Sequence, residues 1–114
     1  VTEVTYNVGP YAIVESGSNS NGRWIKFSDG TMIQYITFSV IEETGPTNWS
    51  VTFPTSFTVE PVFSIINKSA FSGTYNPGVE LVTNSLLSGF LFSNSTYRQD
   101  LNHIFYVILI GRWK

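Results

Sequence analysis

Arg23-Trp24-Ile25-Lys26-Phe27 runs into Ser28-Asp29-Gly30-Thr31 and out through Met32-Ile33-Gln34-Tyr35-Ile36-Thr37-Phe38-Ser39-Val40. Two arms rich in β-branched and aromatic residues are joined by Asp-Gly, a pair that tolerates the positive φ of a type I′ turn, so this stretch predicts a β-hairpin. In the second arm Ile36, Phe38 and Val40 fall on one face, and Tyr35, Thr37 and Ser39 on the other. That alternation has the period of a half-buried strand.

The same grammar continues in both directions. Upstream, Val4, Tyr6 and Val8 alternate with Thr5 and Asn7 before Gly9-Pro10, and Tyr11 to Glu15 forms a second short strand. Ser16 to Gly22 reads as a polar loop or tight turn. Downstream, Glu42 to Pro46 is a turn, and Trp49, Val51 and Phe53 alternate with Ser50 and Thr52. A strand over Val62 to Asn67 is entered through Pro61, Glu80 to Thr83 and Gly89 to Phe92 are short strands, and His103 to Arg112 is a long final one. Turn residues interrupt these runs roughly every eight to twelve residues, the spacing of a sandwich or barrel. No helical period, internal repeat or domain boundary stands out, so residues 1–114 read as one all-β domain, an antiparallel β-sandwich.

The final strand is apolar on both faces, through Ile104, Phe105, Tyr106, Val107, Ile108, Leu109 and Ile110. A strand of that kind belongs in a sandwich core or at a subunit interface.

Composition narrows the function classes. Only 12% of residues are charged, about half the ~25% of an average domain, while 16% are aromatic. Disordered chains have the opposite balance. Net charge is −2 and the six basic residues are scattered singly, so there is no cationic patch to displace counterions from phosphates and nucleic acid is not an expected partner. The absence of Cys excludes disulfides, zinc–thiolate sites and a Cys nucleophile. Oligomerisation is one remaining route to stability for a small extracellular domain. The apolar run Ile104–Ile110 is far shorter than the ~20 residues of a membrane helix, so membrane insertion is not expected. A first residue of Val1 rather than Met suggests a processed or excised fragment, and the end at Ile110-Gly-Arg-Trp-Lys114, directly after a strand, reads like a natural terminus.

The chain offers little for catalysis. His103 is the only histidine, and its place at the start of an apolar strand suits a structural residue better than a metal ligand or triad member. Glu42 and Glu43 are adjacent and point to opposite faces of an extended chain. Glu60, Glu80 and Asp100 form the one conceivable glycosidase set. No Gly-x-Ser-x-Gly elbow, EF-hand spacing or phosphate-cradling loop occurs. The chain is read as a non-enzymatic binding domain without cofactor or metal.

Two loops hold aromatics beside amides and charges, the combination that recognises sugars on a rigid β scaffold. Asn67 to Gly78 carries Phe71, Tyr75 and Asn76, and Ser93 to Asn102 carries Tyr97, Arg98, Gln99 and Asp100. Tyr75, Asn76, Tyr97, Arg98 and Asp100 are therefore the candidate ligand-binding residues. The competing reading is that Phe71 and Tyr75 anchor their loop to the core.

Gly22-Arg-Trp-Ile-Lys-Phe-Ser-Asp-Gly-Thr-Met-Ile-Gln-Tyr35, following a Ser/Asn/Gly stretch, resembles the C-terminal receptor-binding domains of bacteriophage tail fibres. Val51-Thr-Phe-Pro-Thr-Ser-Phe57 with Glu60-Pro-Val-Phe-Ser-Ile65, and the ending Phe105-Tyr-Val-Ile-Leu-Ile-Gly-Arg-Trp113, are similar to that family's later strands. The matching segments cover most of the chain from about Ser16. The resemblance implies a β-sandwich at the tip of a virion's tail fibre, assembled as a homotrimer and binding a bacterial surface glycan. On that view residues 1–15 are a connecting segment or the first strands of a fragment of a longer fibre. H-type lectins share a similar strand pattern, so a free-standing lectin is an alternative, as is a purely structural trimerisation or cap module. Some fibre tips bind iron through His-x-His, a feature that the lone His103 does not carry over.

Overall fold

The computed structural model describes residues 12–41, 45–68, 78–93 and 102–114. Eight strands follow one another: β1 (Ile13–Asn19), β2 (Gly22–Phe27), β3 (Thr31–Ile41), β4 (Gly45–Thr52), β5 (Val62–Asn67), β6 (Gly78–Val82), β7 (Leu86–Ser93) and β8 (Asn102–Arg112). They form a five-stranded sheet, β1-β2-β3-β8-β5, facing a three-stranded sheet, β4-β7-β6. Every neighbouring pair is antiparallel. The expected antiparallel β-sandwich is the observed fold. None of the helices needed to cross a membrane is present among the described residues.

The Asp-Gly hairpin forms between β2 and β3, with a loop one residue longer than a two-residue type I′ turn. Gly30 N–H donates to Phe27 O at 3.0 Å, and Gly30 itself takes φ 98°. Ser28-Asp29-Gly30 is thus a three-residue connection in which the glycine accepts the positive φ. Thr31 N–H donates to Asp29 Oδ1 at 2.8 Å, and that bond holds the Asp29 carboxyl below its ordinary pKa. The chain end closes over this turn. Trp113 N–H donates to Gly30 O at 2.9 Å, and its indole Nε1–H to Phe27 O at 2.7 Å.

Ser16 to Gly22, expected as a loop, is mostly strand. β1 continues to Asn19, and only Ser20-Asn21 turn the chain into β2. Gly17 lies opposite Trp24, whose indole lies so close above it that no Cβ would fit. Polar composition signalled a loop, but cross-strand pairing with β2 decided for strand. β4 similarly begins at Gly45-Pro46, inside the expected turn. Pro46 is admissible there because β4 is an edge strand, where one row of backbone groups needs no partner. β5 and β8 follow the expected runs, β6 and β7 begin two to three residues earlier than expected, and the strand expected over Val4 to Val8 lies outside the described residues.

The core sits between the sheets. Met32, Ile36 and Val40 of β3 and Phe105, Val107 and Leu109 of β8 meet Trp49 and Val51 of β4 and Leu87 and Leu91 of β7. Phe53 and Phe57, from the linker that carries the chain from β4 to β5, pack edge to face at 5.7 Å and complete it. That linker is tied down by Phe53 N–H to Ser85 O, Phe57 N–H to Asn84 O and Thr58 N–H to Arg112 O, all at 2.8–2.9 Å. The buried Gln34 donates to Thr55 O at 2.6 Å, which places an amide inside the core to hold the same linker.

Phe105 is fully buried and packs against Phe38 at 5.4 Å between ring centroids. Phe105→Ala is expected to destabilise the fold by about 3–5 kcal/mol, the range for emptying a buried Phe site. Urea unfolding checks this as a lower midpoint with an unchanged slope.

Candidate functional site

The candidate ligand residues Tyr75, Asn76, Tyr97, Arg98 and Asp100 lie outside the described residues. The chain connections place their loops between β5 and β6 and between β7 and β8. Of the acids weighed as a glycosidase set, Glu60 is exposed in the linker between β4 and β5, and Glu80 is exposed on β6 of the three-stranded sheet. His103 is buried on the inner side of β8 and stacked at 6.4 Å on Phe105.

The described residues contribute a different surface. β8 turns His103, Phe105, Val107 and Leu109 inward, so Ile104, Tyr106, Ile108 and Ile110 point away from the core. Antiparallel register extends this outward face across the whole five-stranded sheet. One row reads Val62–Ile110–Ile33–Ile25, from β5 to β2. The next reads Ser64–Ile108–Tyr35–Arg23–Ser18, and a third Ile66–Tyr106–Thr37. Val62 is 68% exposed, Ile66 47%, Ile110 45% and Ile108 37%, so large aliphatic groups face solvent side by side. Contiguous apolar surface on this scale marks an interaction site, whereas scattered exposed hydrophobes are ordinary.

Tyr35 and Tyr106 stack at 5.9 Å in the middle of this face, and Lys68 Nζ lies 5.8 Å from the Tyr106 ring centroid. Beside Tyr35 lies a hollow of about 500 Å³, lined by Ile25, Ile33 and Tyr35 together with Ser16, Ser18 and Arg23. The hollow continues the apolar face at its rim, so it forms part of the same surface. The β1–β2 hairpin is braced by Trp24 Nε1–H donating to Glu15 Oε2 at 2.8 Å and by Lys26 Nζ at 3.1 Å from the same oxygen. The Trp24 bond first, then Lys26, holds the Glu15 carboxyl below its ordinary pKa.

The sequence pointed to the outward side of β8, but not to its continuation over β5, β3 and β2. The signal was present in Val62 and Ile66, in Ile33 and Tyr35, and in Ile25. Only the register reveals that these short alternations share one side.

Comparison with known proteins gives a match in three dimensions alone: no family model matches the sequence, and no curated relative does. The C-terminal part of the Pseudomonas aeruginosa R1 pyocin fibre superposes with a TM-score of 0.64 at 19% identity, over 88% of this chain and 29% of that one. An N-truncated R1-type pyocin tail fibre gives the same TM-score and identity, over 88% of both chains. The P. aeruginosa R2 pyocin fibre gives 0.61 at 19% identity, over 89% of this chain and 27% of that one. The chain thus spans under a third of the longer fibre fragments it matches and shares their fold.

Because its folded pKa is lowered, the Glu15 contribution to stability is present above the unfolded value and is lost as pH falls through the folded one. In a carbon-13 NMR titration, Glu15 is expected to titrate below the ordinary value of a glutamate carboxyl. Trp24→Phe should raise the midpoint towards that value, and Lys26→Met should raise it by a smaller amount. Equal, ordinary midpoints in all three proteins would show that the brace does not form.

Proposed function

We propose that this chain is a receptor-binding module of a phage-like tail fibre, assembled as a homotrimer through the outward face of its five-stranded sheet, and that it recognises a bacterial surface glycan without catalysis. The observation that carries the reading is the two-sided apolarity of β8 and its neighbours. Its inner residues are fully buried, while Ile108 and Ile110, with Val62 and Ile66 beside them, remain uncovered in a single chain. A chain with 12% charged residues gains more by burying that face against its own copies than by leaving it wet. The fold shared with pyocin tail fibres supports a fibre context. Around a threefold axis each copy presents the same face inward, and the assembly closes without leaving an open end.

In this reading recognition is reversible and multivalent. Three weak sites on one particle reach useful avidity because the second and third engagements are intramolecular. The loops holding Tyr75, Asn76, Tyr97, Arg98 and Asp100 are proposed to contribute to ligand contact. The particle would sit on the virion or particle tail, outside the cell.

Light scattering of the purified chain is expected to give three times its 12.8 kDa mass. Ile108→Asp places a charge in the apolar face and should abolish that particle. A stable monomer of the unaltered chain would overturn the trimer, and a hexamer would favour the lectin alternative. A correct trimer that fails to bind any of a panel of bacterial strains would leave only a structural cap. Release of sugar fragments or acetate from capsule would establish an enzyme instead.

A further inference from the structure

We propose that the outward face of the three-stranded sheet is a binding site for a neutral sugar bearing adjacent hydroxyls, a proposal that rests on the surface-recognition reading above. Asn48 and Phe90 are cross-strand partners on β4 and β7, and Ser50 and Ser88 are the next outward pair. Between them Trp49 and Gly89 form the floor, with the Trp49 ring turned into the core against Phe38 at 5.0 Å. On β6 a bulge between Val79 and Leu81 drops Glu80 out of the pairing and leaves it exposed at the edge of the same depression. Bulges commonly re-aim a side chain in this way. The depression measures about 460 Å³ and is lined by Asn48, Ser50, Glu80, Ser88 and Phe90 over that floor. Small-molecule sites span roughly 300–1,000 Å³.

The lining has the division of labour that a pyranose requires. Phe90 is 40% exposed, and its partner on β6 is Gly78, which has no side chain to cover the ring. That leaves an aromatic face free for sugar C–H groups. The Asn48 amide donates and accepts, the Ser50 and Ser88 hydroxyls do both, and the Glu80 carboxylate accepts from two neighbouring O–H groups. Charge selects further. Among the described residues no Lys or Arg lines the depression, and the Glu80 carboxylate disfavours phosphorylated or acidic sugars. This face lies on the opposite side of the sandwich from the larger sheet's outward face, so assembly through the five-stranded sheet leaves it open.

The test titrates the assembled protein with phosphate-free O-polysaccharides from a panel of bacterial strains, followed by saturation-transfer NMR. The expected result is saturable binding by the unaltered protein and at least tenfold weaker binding by Phe90→Ala, Asn48→Ala and Glu80→Gln, with particle mass unchanged. Asn48→Ala and Glu80→Gln alter exposed side chains and carry the test if Phe90→Ala fails to fold. Unaltered affinity in these variants would overturn this site while leaving the fibre reading intact, as would loss confined to Tyr97→Ala or Arg98→Ala. Failure of the unaltered trimer to bind any saccharide would overturn the glycan reading itself.

Discussion

β8 is hydrogen-bonded on both sides, to β3 along Thr31–Ile41 and to β5 along Val62–Asn67, and its inward side chains are removed from water. Much of the remaining structure follows from that strand. It fixes the register of β3, and through β3 that of the β2 arm of the hairpin. Its C-terminal end supplies the carbonyl of Arg112 that holds Thr58, and leads to the indole of Trp113 that caps the Asp29-Gly30 turn. Any displacement of β8 would loosen the core, the linker and the hairpin turn together.

The same strand makes the larger sheet unusual, because neither of its sides is predominantly polar. A sheet in an isolated sandwich normally turns a polar face to water. Here the smaller sheet carries more of that task, with Asn48, Ser50, Thr52, Ser88 and Glu80 outward beside the exposed Leu81 and Phe90. The partition is not imposed by folding: the buried cluster between the sheets is complete without Val62, Ile66, Ile108 or Ile110. The outward aliphatic residues contribute to something other than the core of one chain, and association is the physical use that fits them.

The sequence made the sandwich legible because the decisive strands alternate cleanly. Ile36 and Val40 are buried while Tyr35, Thr37 and Ser39 are exposed, as the period of two required. The final strand was legible as two-sided for the same reason. What misled was composition: Ser16-Gly17-Ser18-Asn19 has the residues of a loop and the structure of a strand, because Trp24 across the ladder outweighs local preference. The extra loop residue at Ser28 was equally hidden, since Asp-Gly suits both the two-residue and three-residue turns. Of the surfaces, the row Val62–Ile110–Ile33–Ile25 joins four strands that are far apart in the chain, and no local pattern announces it. The depression around Phe90 was illegible for the same reason, because it depends on Gly78 and Asn48 as cross-strand neighbours.

On the proposed reading, separating an association face from a recognising face solves a problem that any multivalent β module meets. A sugar site gains from exposure and from polar groups whose hydrogen bonds are left open to ligand, while an association face gains from excluding water. On one sheet the two demands would conflict, since each polar group needed for a ligand would weaken the apolar seam. Two sheets of one sandwich allow both, because alternation gives every strand an inward side for the shared core and an outward side free for another purpose. In this chain β3, β5 and β8 place aliphatic and aromatic groups on that free side, and β4, β6 and β7 place amide, hydroxyl and carboxylate groups, with Leu81, around the exposed Phe90 ring. The core couples them: Phe38 of the larger sheet packs on Trp49 beneath the Phe90 depression, so a rigid seam would also fix the floor of the site.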